Sequence, residues 1–325
     1  MPSMKEFGLD KGTSIVVSMK FGSHLYGTAT SGSDMDYKGI FLPSREQVLL
    51  GMIPKSRSFT TGSDLSRNTH EDIDYEYYSL HYFIKLACEG QIVALDMLHA
   101  TDDMILEKSA SWDFMVENRK KFYTKNMRSF VDYARRQAAK YGIKGSRLSA
   151  VGKVIEILEA QSPEKKMREI WGELPRNEHC HDDAVQPGGV KQYQVCGKTF
   201  QESARIGYVI PILKKFYDEY GVRARQAAEN RNIDWKAISH ALRAAYQIKE
   251  ILTDDGITFP LKEARFLIDV KLGRLDYLRE VVPVLETLMD EVEDLALKSD
   301  LPETVDRIFW EQFICKTIES NMGCG

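Results

Sequence analysis

Apolar and polar positions divide the chain into a strand-rich opening and a longer helical remainder. From Ser14 to Phe21 the run Ser-Ile-Val-Val-Ser-Met-Lys-Phe is dense in β-branched residues and stops at Gly22, the pattern of a buried strand followed by a turn. Asp36 to Leu42 makes a second strand that ends at Pro43. In Asp72-Ile-Asp-Tyr-Glu-Tyr-Tyr78 acidic and apolar residues alternate at period two, which predicts a third. Successive side chains of a strand point to opposite faces, so Asp72, Asp74, Glu76 and Tyr78 share one face while Ile73, Tyr75 and Tyr77 take the other. Pro54 to Thr69, rich in Gly, Ser, Thr and Arg, reads as a loop.

After Ser79 the period becomes helical: Leu80, Phe83, Ile84 and Ala87 fall at i, i+3, i+4 and i+7. Further helices are expected over about 92–99, 112–141, 147–161, 202–220, 233–253, 261–271, 274–298 and 302–318. Pro175 to Phe200, rich in His, Asp, Pro and Gly and carrying the strand-like Val190–Cys196, reads as an insertion between helical segments. The expectation is an α+β fold in two parts, a small mixed-sheet core over residues 1–110 and a mainly helical domain over 111–325 with its insertion at about 175–200.

Composition agrees with a folded chain. Of 325 residues, 43% are hydrophobic and 28% charged, which argues against disorder. Lys and Arg number 44 against 48 Asp and Glu, a net charge of −4 that excludes histone-like or membrane-coating behaviour for the chain as a whole. The balance is uneven locally. Arg119 to Arg147 holds ten cations and one acid, whereas Glu286 to Glu303 holds seven acids and one cation. The most apolar runs, Ile15–Val17 and Ile92–Leu95, are far too short to span a bilayer. Five widely spaced cysteines do not form a disulfide framework, so a reducing cytoplasm is the expected compartment.

Two Asp-x-Asp pairs, Asp34/Asp36 and Asp72/Asp74, mean little singly, since Asp34 could cap a turn and Gly22 could serve an ordinary one. Their order carries the information: strand, Gly22-Ser23, ten residues, Asp34-Met-Asp36 opening the next strand, then acids on a third. Each part has a task in nucleotidyl transfer. Charge develops on both the attacking and the leaving oxygen, and two Mg²⁺ ions about 3.5–4 Å apart, held by carboxylates on rigid backbone, stabilise both. Asp34 and Asp36, two apart on a strand, can hold the pair from one edge, and a carboxylate of the third strand completes the site. Gly22 permits close approach, while Ser23 offers a hydroxyl and backbone N–H groups to the β and γ phosphates.

Gly22-Ser23-His-Leu-Tyr26-Gly27, followed by Ser33-Asp34-Met-Asp36-Tyr-Lys-Gly39-Ile40, resembles the signature of the DNA polymerase β nucleotidyltransferase superfamily. More narrowly it is similar to predicted nucleotidyltransferases associated with RNA ligases in bacteria and their phages. Residues 71–98 resemble that branch's third strand and following helices, and the likeness extends over about 13–100 and again near 233–280. The resemblance implies Asp74 as the third metal carboxylate, although spacing alone leaves Asp72 and Glu76 open. It implies an NTP as substrate, Mg²⁺ as cofactor with Mn²⁺ as substitute, and Ser33 among the nucleotide-binding residues. Two departures stand out: His24 occupies a position where Arg is expected, and Gly90-Gln91-Ile92 stands where Gly-Asn-Pro is usual.

Lys236, His240, Arg243 and Gln247 form one stripe of a helix, opposite Ile238, Leu242, Ala245 and Leu252. A stripe of this kind is ordinarily a solvated face. The block Lys236–Arg243 also resembles the family's C-terminal helical motif, which implies that Lys236 and Arg243 contact the triphosphate and that His240 contacts phosphate or accepts a proton. The Arg119–Arg147 stretch, interleaved with Phe122, Tyr123, Phe130, Tyr133 and Tyr141, suits a nucleic-acid acceptor or a helical surface over buried aromatics. His179-Cys180-His181-Asp182-Asp183 with Cys196 supplies metal-ligand types without zinc-site spacing and reads as a polar loop. Tyr193 and Tyr208 are expected to pack in the core. The expected function is transfer of an NMP to an acceptor hydroxyl with release of pyrophosphate, the acceptor being an RNA or DNA end. A protein-nucleotidylating enzyme and a catalytically silent nucleotide- or RNA-binding module are the alternatives.

Overall fold

An interior strand of the sheet is the one the apolar run predicts. β1 (Ser14–Lys20) is covered on both faces, with Val16, Val17 and Met19 fully buried. In the computed structural model, which describes residues 12–61, 72–125, 145–177, 179–183, 189–228, 230–231 and 233–322, β1 lies within a five-stranded mixed sheet. Its other strands are β2 (Met35–Leu42), β3 (Ser56–Thr60), β4 (Ile73–Ser79) and β5 (Ile105–Lys108), in the order β3-β4-β2-β1-β5. Only β2 and β4 run parallel.

The alternation in β4 sorts its residues as expected. Tyr75 and Tyr77 join Phe41 in an apolar cluster with Ile15, Tyr37, Phe59 and Ile73. The Tyr37 and Tyr75 rings stack at 4.7 Å, and Tyr77 Oη shares a hydrogen bond of 2.6 Å with Ser18 Oγ. Tyr77 lies across β2 at Gly39, where a Cβ would come within 2.3 Å of its ring. The expected loop at 54–69 needs correction, because β3 occupies 56–60 and pairs antiparallel with β4. An edge strand has one ladder partner and one covered face, so Phe59 is its lone large apolar residue and no alternation announces it. Residues 62–69 of that loop lie outside the described residues.

Helices follow the sheet strands closely. α1 (Gly22–Tyr26) leaves β1, α2 (Arg45–Leu49) leaves β2, and α3 (Leu80–Cys88) leaves β4, burying the Leu80, Phe83, Ile84 and Ala87 stripe. α4 (Ile92–Leu98) precedes β5. The helix expected over 112–141 is broken: α5 (Ala110–Glu117) ends at Asn118, a 3₁₀ turn covers Arg119–Phe122, and Tyr123 is extended. Packing wins over helical propensity here. Phe122 stacks on Trp310 at 3.9 Å, and Tyr123 is buried with its hydroxyl on His99. Residues 126–144, including Phe130, Tyr133 and Tyr141, lie outside the described residues.

Beyond them come α6 (Gly145–Glu159), α7 (Ile206–Ala228), α8 (Trp235–Asp254), α9 (Ala264–Lys271), α10 (Val282–Lys298) and α11 (Arg307–Met322). The chain divides into two compact units. One contains Met1–Arg136, Trp235–Leu275 and Val284–Gly325, and the other Gln137–Asp234 and Asp276–Pro283. The helices after residue 235 therefore largely belong with the sheet, a different division from a boundary near residue 110.

In the second unit the expected insertion is a three-stranded antiparallel sheet of β6 (Cys180–Asp182), β7 (Gln192–Val195) and β8 (Lys198–Gln201). Cys180, Tyr193 and Val195 of this sheet pack with Val154, Leu158 and Val209. Cys180 is thus a core residue rather than part of a polar loop, and burial pushes its thiol pKa up. Tyr193 is buried as expected, but Tyr208 is 66% exposed, on the outer side of α7. Among the described residues no helix is long and apolar enough to cross a membrane.

Candidate metal and nucleotide site

Parallel pairing of β2 with β4 decides which acids meet. Asp36 stands directly opposite Asp74 in the ladder, and Asp34 precedes β2 by one residue. Carboxylate oxygens of Asp34, Asp36 and Asp74 all lie within 4.8 Å of one another. Among the described residues they are the one group of three or more acidic, His or Cys ligands so placed. Of the open candidates for the third carboxylate, Glu76 is engaged elsewhere. It is paired with Lys38 and accepts a hydrogen bond of 2.6 Å from Tyr78 Oη. Burial alone would raise the Glu76 pKa, but the bonds from Lys38 and Tyr78 outweigh it and hold the carboxyl below its usual range. Asp72 sits one residue before β4, where its carbonyl accepts from Met35 N.

Electrostatics suit a cation. Burial, then the charge of Asp34, with a further contribution from Asp74, raises the Asp36 pKa, and Lys38 and Lys236 offset this only in part. Three half-buried carboxylates with an excess of negative charge are a hard-oxygen donor set of the kind Mg²⁺ and Mn²⁺ take. A cleft of about 310 Å³ opens beside them, lined by Asp36, Lys38, Ser58, Thr60, Asp74 and Glu76. Ser58 and Thr60 come from β3 in register with Glu76 and Asp74.

Gly22 and Ser23 border the same acids. Phe21 N–H bonds to Asp36 O at 2.8 Å, tying the start of α1 to β2. Gly22 has φ +62°, and a Cβ there would lie 1.9 Å from Asp36 Oδ2, so glycine is required twice over. Ser23 Oγ is buried with no hydrogen-bond partner among the described residues, a polar atom that a phosphate oxygen would satisfy. His24, where Arg is expected, is partly exposed on the same short helix. The Ser33 hydroxyl accepts from Thr30 N–H at 2.9 Å, and Ser33 N–H returns to Thr30 O. It builds the turn that delivers Asp34.

The α8 stripe differs along its length. Lys236 and His240 are exposed, and Lys236 is close enough to Asp36 to stabilise its charge. Arg243 and Gln247 instead turn inward to the buried Asp96 of α4, with bonds of 3.4 Å from Arg243 Nη1 and 2.7 Å from Gln247 Nε2. A solvated face therefore describes only the first half of the stripe. Lys38, Ser58, Thr60 and Asp96 are site or near-site residues that the sequence did not single out, and Tyr26 was marked only as part of the signature, without a role. Lys38 could have been found from its i+2 spacing to Asp36, and Asp96 as the lone charge in Ile-Val-Ala-Leu-Asp-Met-Leu.

Of the basic stretch, Lys120 pairs with Asp255 at 2.9 Å and Lys121 lies over the Phe309 ring at 4.8 Å, while most of the remaining cations lie outside the described residues. In the second unit, the Asp182 carboxylate is bound by Arg176 at 3.0 Å.

Comparison with known proteins agrees with this geometry. The RNA repair pathway DNA polymerase beta family (RlaP) matches residues 1–155. The chain is also 39% identical over 322 residues to an "uncharacterized 38.9 kDa protein in nrdC-mobD intergenic region" of Enterobacteria phage T4, covering 92% of this chain and 95% of that protein. No solved structure matches the chain.

Proposed function

The chain belongs to the RNA repair pathway DNA polymerase beta family, and from this we propose that it is a metal-dependent nucleotidyltransferase that moves an NMP from an NTP to the hydroxyl of an RNA or DNA end. The observation that carries the proposal is the cluster of Asp34, Asp36 and Asp74 on paired parallel strands beside an open cleft. Asp34 and Asp36 would hold two Mg²⁺ ions, or Mn²⁺ in their place, and Asp74 one of them. When bound, the metal supplies positive charge for the α-phosphate and lowers the pKa of the attacking hydroxyl.

The protein's own groups do the rest. Ser23 Oγ donates to the triphosphate tail, and Gly22 leaves room for it against Asp36. Lys236 and His240 face the tail from α8. Arg243 acts from behind them rather than as an exposed ligand. The acceptor oxygen enters by the cleft and forms its bond to the α-phosphorus as the α–β bridging bond breaks. Its proton passes to Asp74, and pyrophosphate leaves. The cations of Arg119–Arg147 would draw a polyanionic acceptor.

Each α-³²P-labelled NTP, incubated with Mg²⁺ or Mn²⁺ and either total RNA or cell lysate, tests this directly. Label on RNA, lost in Asp34→Ala and Asp36→Ala, is the expected result. Label on protein would replace the acceptor, and NTP binding without pyrophosphate release would overturn the transferase.

A further inference from the structure

Among the described residues Asp96 is the one fully buried carboxylate, and it stands outside the acidic cluster. Its partners come from two other elements. Tyr26 Oη of α1 donates to Oδ2 at 2.9 Å, while Arg243 Nη1 and Gln247 Nε2 of α8 reach Oδ2 and Oδ1 at 3.4 and 2.7 Å. The Arg243 guanidinium also lies 3.8 Å from the Tyr26 ring centroid. Burying a carboxylate costs several kcal/mol before its partners offset it, and an apolar residue would suit the rest of α4. Stability therefore does not explain Asp96. Orientation does.

α1 has five residues, too few to hold its own conformation, so tertiary contacts must fix it. Ser23 is one turn from Tyr26 on the same side of α1. Lys236 is two turns, roughly 10 Å, from Arg243 along α8. Resting on the nucleotidyltransferase reading, we propose that Asp96 is a positioning residue for the triphosphate: by gripping Tyr26 and Arg243 together it sets Ser23 on α1 at a fixed distance from Lys236 on α8.

Asp96→Asn in the full chain keeps the volume and an acceptor for Tyr26 but loses the charge that holds Arg243. ATP and the other NTPs with Mg²⁺ are the probes, by calorimetry and by turnover, alongside Mn²⁺ titration without nucleotide and thermal unfolding. The expected result is NTP Kd and KM raised about tenfold, with kcat at saturation within about threefold and Mn²⁺ affinity unchanged. Tyr26→Phe should shift Kd in the same direction by less, non-additively with Asp96→Asn, and it carries the test should Asp96→Asn fail to fold. Val292→Ala, a core change in α10, serves as control: it should lower Tm and leave Kd alone. Unchanged Kd in the folded Asp96 or Tyr26 variants overturns the positioning role. So does a loss that Val292→Ala reproduces at equal Tm. A wild-type chain that binds no NTP overturns the transferase reading and this proposal with it.

Discussion

A Cβ on Gly22 would lie 1.9 Å from Oδ2 of Asp36, so the first residue of α1 is the wall against which the central carboxylate rests. Gly22→Ala would impose a left-handed φ on alanine, costing about 1 kcal/mol, and would push the Asp36 carboxylate out of the cluster. Pyrophosphate release and Mn²⁺ affinity should each fall at least about a hundredfold, while Tm drops only a few degrees. Mn²⁺ binding at wild-type strength in Gly22→Ala would show that the contact does not set the site.

Cation binding should be visible in stability without any nucleotide. A ligand at about 100 times its Kd stabilises the folded state by about 2.7 kcal/mol, so millimolar Mn²⁺ should raise the wild-type Tm by several degrees. Asp36→Asn and Asp74→Asn should abolish the rise. Glu76→Gln should largely keep it, because Glu76 is bound to Lys38 and Tyr78 rather than turned to the cluster. Scanning calorimetry of the variants with and without Mn²⁺ decides between them. A response lost in Glu76→Gln and kept in Asp74→Asn would exchange the two assignments.

The division between Asp74 and Glu76 marks how far the sequence could be read. Spacing put Asp72, Asp74 and Glu76 on one face of one strand, and every one of them could have faced Asp36. The choice lies in the β2–β4 register, Asp36 against Asp74, which depends on where two separate strands meet. Asp34 and Asp36 needed no such information, since their ligand geometry is local. β3 was hidden because an edge strand needs little apolar content. The α8 stripe was visible as a face, but periodicity reports direction around a helix and not depth. That Arg243 meets Asp96, 147 residues away, while Lys236 faces solvent follows only from how α8 crosses α4.

His99 gives the fold a dependence on acid. Its Nδ1–H donates to Leu95 O at 2.7 Å and its Nε2 accepts from Tyr123 Oη at 2.7 Å, so both nitrogens are satisfied in the neutral ring. Burial lowers its pKa to about 4. Unfolded His titrates near 6.5, so between those values the unfolded chain binds the extra proton. Stability is then fully present above about pH 6.5 and lost as pH falls toward 4, by up to about 3 kcal/mol. Burial of Asp96, whose pKa is raised to about 6, works in the opposite sense between about pH 4 and 6. The His99 contribution is therefore read as a difference: Tm of wild type minus His99→Gln should shrink as pH is lowered from 7 to 5. A pH-independent difference would sink the assignment.

Lys236 and Arg243 lie on one stripe of α8, yet their removal should have opposite signatures. Lys236 is exposed, so Lys236→Ala should change stability by less than about 0.5 kcal/mol while weakening NTP binding, most of all at low salt. Arg243→Ala leaves Asp96 buried without its cation and should cost about 3–5 kcal/mol. Arg243→Lys keeps the charge but not the planar stack on Tyr26, and should fall between them. The double variant Asp96→Leu/Arg243→Leu removes the buried pair altogether. It should recover most of the stability lost in Arg243→Ala, because an apolar pair can replace a buried ion pair at little cost. NTP affinity should nonetheless stay low, since α1 and α8 would no longer be held in register. Denaturant unfolding and NTP titration of the same four variants separate the two effects, and a double variant that regains both stability and affinity would mean that the Asp96–Arg243 pair only fills space.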